Sequence, residues 1–159
     1  PSNVDEEGSL RILVEEWLKT AELMPIIFPI HPRTLGKLEY FHLFDRLTSS
    51  SNIYLTGPLG YLDFLKLVSE SALVITDSGG IQEETTYLRI PCLTVRPSTE
   101  RPITIWEGSN QLVLPEDISI KAKQIADLAK ADYEVPKYWE GQAATRIINM
   151  LETYWVDQF

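Results

Sequence analysis

The sequence predicts an α/β fold: a parallel β-sheet with helices on both faces. Three observations carry that expectation. Short apolar or β-branched runs alternate with amphipathic stretches of helical period along the whole chain. The run Leu73 to Thr76 passes through Asp77 into Ser78-Gly79-Gly80 and then directly into a helix start. Finally, 44% of the 159 residues are hydrophobic, which supplies a core for one globular unit spanning residues 1–159.

The elements follow in order. Asn3 with Glu6 gives a capping pattern, and Leu10, Leu13, Val14, Trp17 and Leu18 fall on one face of a first helix. Pro25 to Ile30 reads as a buried strand that stops at His31-Pro32, so His31 sits in a loop at a strand's carboxyl end. A weaker helix is expected over Leu35 to Phe41, a polar turn over Thr48 to Asn52, and a short strand over Ile53 to Leu55. After the Gly57-Pro58 break, Tyr61, Phe64, Leu65 and Val68 mark another amphipathic helix. Leu73 to Thr76 is the expected central strand, buried on both faces, with a helix over Ile81 to Leu88 and a strand over Cys92 to Val95. Arg96 to Arg101 forms a polar loop and Gln111 to Leu114 an edge strand. Ser119 opens a helix with Ala122, Ile125, Ala126 and Ala129 on its apolar stripe, and Ala144, Ile147, Ile148, Leu151 and Trp155 define the last one. Tyr154, Trp155 and Phe159 close to the terminus either complete this domain's own core or await a partner surface.

Ligands of such sheets bind beyond the carboxyl ends of the strands. That rule gathers the His31 loop, the Gly57 to Tyr61 turn, the Ser78-Gly79-Gly80 turn and the Arg96 to Arg101 loop on one rim. The glycines allow backbone amides to approach a ligand, and the helix behind them directs unpaired N–H groups and a positive dipole end at it, which suits a phosphate. The same glycines also serve tight strand-to-helix packing with no ligand, and both readings stand. The pattern is neither GxGxxG nor a P-loop, which turns the expectation away from dehydrogenases and NTPases.

Net charge is −9, with no Lys/Arg stripe, so nucleic acid is excluded as the expected partner and any phosphate must be neutralised locally. The available cations are His31, Arg33, Arg96 and Arg101. Arg101 either clamps a phosphate through its planar fork or pairs with Glu100 on the surface. Glu84 shares a helix face with Ile81, Thr85 and Leu88, pointing toward protein where a carboxylate could grip ribose hydroxyls, although a first-turn carboxylate is also favourable simply as structure. Asp77 reads as a turn residue. The single cysteine, Cys92, reads as a buried small hydrophobe and excludes an internal disulfide or a four-cysteine zinc site. No run reaches the ~20 apolar residues of a membrane span, no signal-peptide core is visible, and a cytoplasmic location is expected.

Asp77-Ser78-Gly79-Gly80-Ile81-Gln82-Glu83-Glu84, Ile90-Pro91-Cys92-Leu93-Thr94-Val95-Arg96 and Thr99-Glu100-Arg101-Pro102 together resemble the non-hydrolysing UDP-N-acetylglucosamine 2-epimerases. The resemblance extends to Pro1-Ser2-Asn3-Val4-Asp5, Pro29-Ile30-His31-Pro32-Arg33-Thr34, Gly57-Pro58-Leu59, Tyr61-Leu62-Asp63-Phe64 and Glu107-Gly108-Ser109-Asn110, in the family's order. It implies a Rossmann-like domain, one half of a two-domain glycosyltransferase-B-type fold, beginning just after a His-Arg pair of the family. The N-terminal catalytic domain, with the family's acid and base residues, lies outside these 159 residues, so the catalytic residues are unknown from this chain, which is expected to be inactive alone.

The resemblance further implies that Ser78, Gly79 and Gly80 hold the diphosphate of UDP-GlcNAc or UDP and that Glu84 takes ribose hydroxyls. Phe64 lies by the uracil through its backbone, and His31 and Arg101 line the same ligand. Leu59 replaces a glutamine of some members. No cofactor or metal is implied. The expected partners are the nucleotide sugar, the missing domain and, as an alternative for the last helix, a second copy in a homodimer. Two other functions remain open: the nucleotide-sugar half of a glycosyltransferase, and a non-catalytic UDP-sugar binding module.

Overall fold

The computed structural model describes residues 3–128 and 132–156. Helices and parallel strands alternate: α1 (Glu7–Leu23), β1 (Ile26–Pro29), α2 (Pro32–Tyr40), α3 (Phe44–Leu47), β2 (Ile53–Thr56), α4 (Tyr61–Glu70) and β3 (Val74–Thr76). Then come α5 (Gly79–Leu88), β4 (Cys92–Val95), α6 (Ile103–Trp106), β5 (Asn110–Val113), a 3-10 turn at Pro115–Asp117, α7 (Ile118–Asp127) and α8 (Ala143–Val156). The strands form two hydrogen-bonded sheets, β1-β2 and β3-β4-β5, and every pairing is parallel. In register, Ile26 lies opposite Ile53, Val74 opposite Cys92, and Cys92 opposite Asn110.

Helices cover both faces of β4, α5 on one and α7 on the other, with α1 packed along α7 and α4 against α5. One core joins the two sheets. Leu10, Leu13 and Val14 of α1 meet Ile30, Ile53, Leu93, Val95, Val113, Ile118 and Ala122 there, all buried. Trp17 packs edge-on against Phe28 with ring centroids 4.9 Å apart.

Several expectations are corrected. The Asn3 to Glu6 cap does not form: the helix starts at Glu7, and no side chain caps it. Asn3 is occupied elsewhere, its Nδ2 donating to the Val95 carbonyl at 3.0 Å and to Asp77 Oδ2 at 3.3 Å. The expected helix at Leu35 begins instead at Pro32, because proline fits the first helical position and His31 caps it. The short α3 was not anticipated. Leu73 to Thr76 is not central: β3 is an edge strand of half-buried residues, while β4 lies between two neighbours with all four residues buried.

The last helix does not close the domain's own core. Ile147, Ile148, Leu151, Tyr154 and Trp155 are each more than half exposed. Ala129 and Phe159, and with them the end of the α7 stripe and the terminal aromatic, lie outside the described residues. No helix of the described residues is long and apolar enough to cross a membrane.

Candidate functional site

The rim at the carboxyl ends of β3 and β4 is built from the backbone outward. β3 ends at Thr76, whose Oγ1 accepts from the Ser78 amide at 3.1 Å and turns the chain. Ser78 is the extended N-cap of α5, with φ −83° and ψ 130°, and its side chain makes no capping hydrogen bond. The leading N–H groups of α5 therefore have no carbonyl of their own helix to donate to, and the positive end of its dipole opens on the rim.

The two glycines do different things. A Cβ on Gly79 would lie 2.5 Å from Arg101 Nη1 and 2.9 Å from its Cζ, so the missing side chain is what lets the guanidinium settle over the helix start. A Cβ on Gly80 would meet nothing within 4 Å, so that residue faces open space. Arg101 is held between two carboxylates, Glu83 Oε2 at 3.1 Å from Nε and Glu100 Oε1 at 2.7 Å from Nη1. These neighbours, Glu83 foremost, hold its pKa above the ordinary arginine value. Glu100 in turn sits below the ordinary carboxylate range, through its own backbone amide and then the Arg96 guanidinium 2.9 Å away.

Arg101 Nε is buried, yet it has no aligned hydrogen-bond acceptor despite Glu83 lying close. Among the described residues it and Ser109 Oγ are the buried side-chain polar atoms left without a hydrogen-bond partner. An unsatisfied buried donor of a charged group, next to open helix-terminal amides, is an anion-seeking arrangement.

Behind the turn lies a polar network that the sequence reading missed. Asn110 Nδ2 donates to the Gln82 carbonyl and to Thr86 Oγ1, both at 2.9 Å, while Thr94 Oγ1 donates to Asn110 Oδ1 at 3.1 Å. Thr99 Oγ1 donates to Gln82 Oε1 at 2.6 Å and accepts from the Arg101 amide at 3.0 Å. The chain of bonds thus runs from β5 through α5 to the loop bearing Arg101, and fixes that loop against the helix start. Gln82, Thr85 and Thr86 are fully buried on α5. Their polar run on the protein-facing side of a helix was the available sequence signal.

The remaining predicted residues are less tightly assembled. Glu84 is half-buried and makes no hydrogen bond or ion pair among the described residues, which leaves its carboxylate uncommitted. Phe64 is half-buried on α4, which packs on α5, but its amide already donates to Gly60 at 2.9 Å in the first helical turn. His31 is exposed, and its Nδ1 accepts from the Arg33 amide at 3.1 Å as the cap of α2. That bond places the neutral ring's proton on Nε2, facing away from the cap. Arg33 is drawn to Asp5 at 2.6 Å.

The site is an open rim rather than a closed pocket. A cavity of about 600 Å³ lies elsewhere, lined by Tyr87, Arg89, Tyr138 and Trp139 among others. No group of three or more His, Cys, Asp or Glu side chains among the described residues is placed to hold a metal ion.

Comparison with known proteins adds to this geometry. The family model for UDP-N-acetylglucosamine 2-epimerase matches residues 1–152. A UDP-N-acetylglucosamine 2-epimerase of Methanocaldococcus jannaschii is 41% identical over 152 residues, covering 94% of this chain and 41% of the relative. A UDP-2,3-diacetamido-2,3-dideoxy-D-glucuronate 2-epimerase of Pseudomonas aeruginosa is 32% identical over 151 residues, with 94% and 41% coverage. Among solved structures, the M. jannaschii UDP-GlcNAc 2-epimerase in complex with UDP-GlcNAc and UDP superposes with a TM-score of 0.82 at 41% identity, covering 96% of this chain and 42% of that one. The Neisseria meningitidis enzyme bound to UDP-GlcNAc gives a TM-score of 0.74 at 29% identity, over 90% of this chain and 41% of that one. The chain spans about two-fifths of the length of these relatives.

Proposed function

The chain belongs to the UDP-N-acetylglucosamine 2-epimerase family, and from that premise we propose that it is the UDP-binding half of a nucleotide-sugar 2-epimerase, with UDP-GlcNAc and UDP-ManNAc as the interconverted pair. The carrying observation is the Arg101 guanidinium seated over Gly79 at the open start of α5, its buried Nε paired in charge with Glu83 but without an aligned hydrogen bond. A diphosphate arriving there takes hydrogen bonds from the Ser78 to Gly80 turn and from Arg101, and displaces Glu83 and Glu100 from the guanidinium. Glu84, uncommitted and one turn along, accepts from the ribose hydroxyls. Phe64 stands by the base, contributing its ring or carbonyl since its amide is engaged. His31 offers Nε2–H at the far side of the rim.

In the reaction, loss of the C2 proton and of UDP from C1 gives a glycal intermediate, and inversion at C2 follows when a proton returns to the opposite face of C2 as UDP re-adds at C1. The share of this half is electrostatic. Negative charge grows on the departing diphosphate as the C1–O bond breaks, and preorganised amides and a guanidinium stabilise that charge without solvent rearrangement. The acid and base that move the C2 proton belong to the rest of the two-domain enzyme, so this chain alone binds but does not epimerise. Relatives named for two different sugars match the same stretch of this chain, which fits a half that reads UDP and leaves the sugar to its counterpart.

Calorimetric titration of the chain with UDP tests the proposal. Saturable binding is expected, weakened about tenfold by Arg101→Gln through loss of charge-assisted hydrogen bonds. Absence of heat at millimolar UDP, with the fold intact by circular dichroism, refutes it.

A further inference from the structure

Arg101 reaches the start of α5 from the loop between β4 and α6, and the ion pairs that hold its guanidinium are weak anchors. The side chains of Glu83 and Glu100 are 49% and 55% exposed, where such pairs contribute little. Both are also the contacts that an arriving diphosphate replaces. Something that ligand binding leaves untouched must therefore keep the arginine in place.

The backbone of Arg101 is held from both sides. Its carbonyl accepts from the Thr104 amide at 3.0 Å and from Thr104 Oγ1 at 2.8 Å, and Thr104 is fully buried in α6. Its N–H donates to Thr99 Oγ1 at 3.0 Å. A threonine bonded to the amide two residues on is a local turn, which by itself fixes the shape of a loop but not its place. The place comes from the same hydroxyl's single proton, donated to Gln82 Oε1 at 2.6 Å across 17 positions of sequence. Gln82 is 0% exposed on α5, its Nε2 donates to the Ser78 carbonyl at 3.4 Å, and its own carbonyl accepts from Asn110 Nδ2 at 2.9 Å. One buried amide thus touches both the residue at which α5 starts and the threonine that holds Arg101.

We propose, on the diphosphate reading of the site, that Gln82 and Thr99 are its positioning residues. The buried amide holds the Thr99 hydroxyl, the hydroxyl holds the Arg101 amide, and the guanidinium stays over Gly79 whichever anion it meets. When the diphosphate takes the guanidinium, Glu83 returns to solvent and Glu100 keeps Arg96, 2.9 Å away. Gln82, Thr99 and Thr104 do not move. Only carboxylates change partners, so the donors are preorganised and binding needs no rearrangement of the loop.

Two measurements test this. The first needs no ligand and follows hydrogen exchange of the buried Arg101 Nε–H by NMR. Thr99→Val, which keeps the shape and removes the hydroxyl, is expected to speed that exchange at least about tenfold, and Thr99→Ser to return it to within about twofold of the native rate. The second is the UDP dissociation constant from calorimetry. Thr99→Val weakens UDP about fivefold in the native background and has no further effect beside Arg101→Gln, because a residue that acts through the guanidinium then has nothing left to position. If Thr99→Val does not fold, the pair Gln82→Met with Thr99→Val replaces both partners by apolar groups of similar shape and is read in the same way. Unchanged Nε–H exchange overturns the proposal. So does a loss of UDP affinity that is as large beside Arg101→Gln as in the native background, or a Thr99→Ser variant that behaves like Thr99→Val. A native chain that binds no UDP refutes the nucleotide reading instead, and the exchange rates then decide the positioning role alone.

Discussion

Replacing Asn110 by alanine tests whether the buried network behind the glycine turn sets the architecture of the site. Asn110 is 3% exposed, and Thr86 and Thr94 are fully buried. Asn110→Ala removes the donor to Thr86 Oγ1 and the acceptor of the Thr94 hydroxyl. The Gln82 carbonyl keeps a bond from Thr85 Oγ1 at 3.2 Å and is not orphaned. Two stranded hydroxyls at about 1–3 kcal/mol each, the lower end being favoured because hydroxyls can rotate, give a loss of about 2–4 kcal/mol. With a urea m-value of about 1–3 kcal/mol/M, the unfolding midpoint falls by roughly 1–2 M while m stays constant. Glu107→Ala, on the exposed surface nearby, is the reference and stays within about 0.5 kcal/mol. Asn110→Asp is worse at neutral pH, because burial raises the new carboxyl's pKa and its stability falls as pH rises above the unfolded value of about 3.9. A midpoint shift for Asn110→Ala no larger than that of Glu107→Ala refutes the network's role.

Gly79→Ala places a methyl within 2.5 Å of Arg101 Nη1 and swings the guanidinium off the helix start; folding survives and UDP binding weakens about tenfold through loss of the charge-assisted contacts, and unchanged affinity by calorimetry counts against the clamp. Glu16 is buried, and desolvation raises its pKa, but Lys19 at 2.6 Å and the Ser119 amide at 2.9 Å outweigh that and leave it below 4.5. Its contribution is therefore full above 4.5 and is lost as pH falls through the lower folded value, and Glu16→Ala, costing about 1–2 kcal/mol as a lost helix cap, flattens that acid limb in pH-dependent unfolding. Cys92 is fully buried, with desolvation pushing its thiol up to about 11, so thiol reagents label it only as fast as the protein opens, and rapid labelling of folded protein contradicts this burial. The exposed apolar side chains Ile147, Ile148, Leu151 and Tyr154 of α8 are expected to give concentration-dependent association, and removal of residues 152–159 without any change in sedimentation argues against that.

Much of the fold was legible because its signals are local. Leu10, Leu13, Val14 and Trp17 announce α1 by spacing, Tyr61 to Val68 announce α4, and Cys92 to Val95 announce a buried strand whatever surrounds them. The Ser78-Gly79-Gly80 turn was visible for the same reason: a strand, two glycines and a helix start are contiguous. The helix at Pro32 was placed late because His31, read as a loop residue, spends its Nδ1 on capping, and Asn3 failed as a cap because a carbonyl distant in sequence captured its amide.

The sequence by itself determined the alternation of strands and helices and the strand-glycine-helix turn at the α5 start, which depend on neighbours within a few residues, and the family, through motifs spread along the chain. Only the tertiary structure decided that Gly79 is small to admit Arg101, and that Asn110 ties β5 to α5 and Thr99 ties α5 to that arginine's loop. Those facts join residues far apart in the chain, where hydrogen-bond geometry and packing, rather than local propensity, select one arrangement.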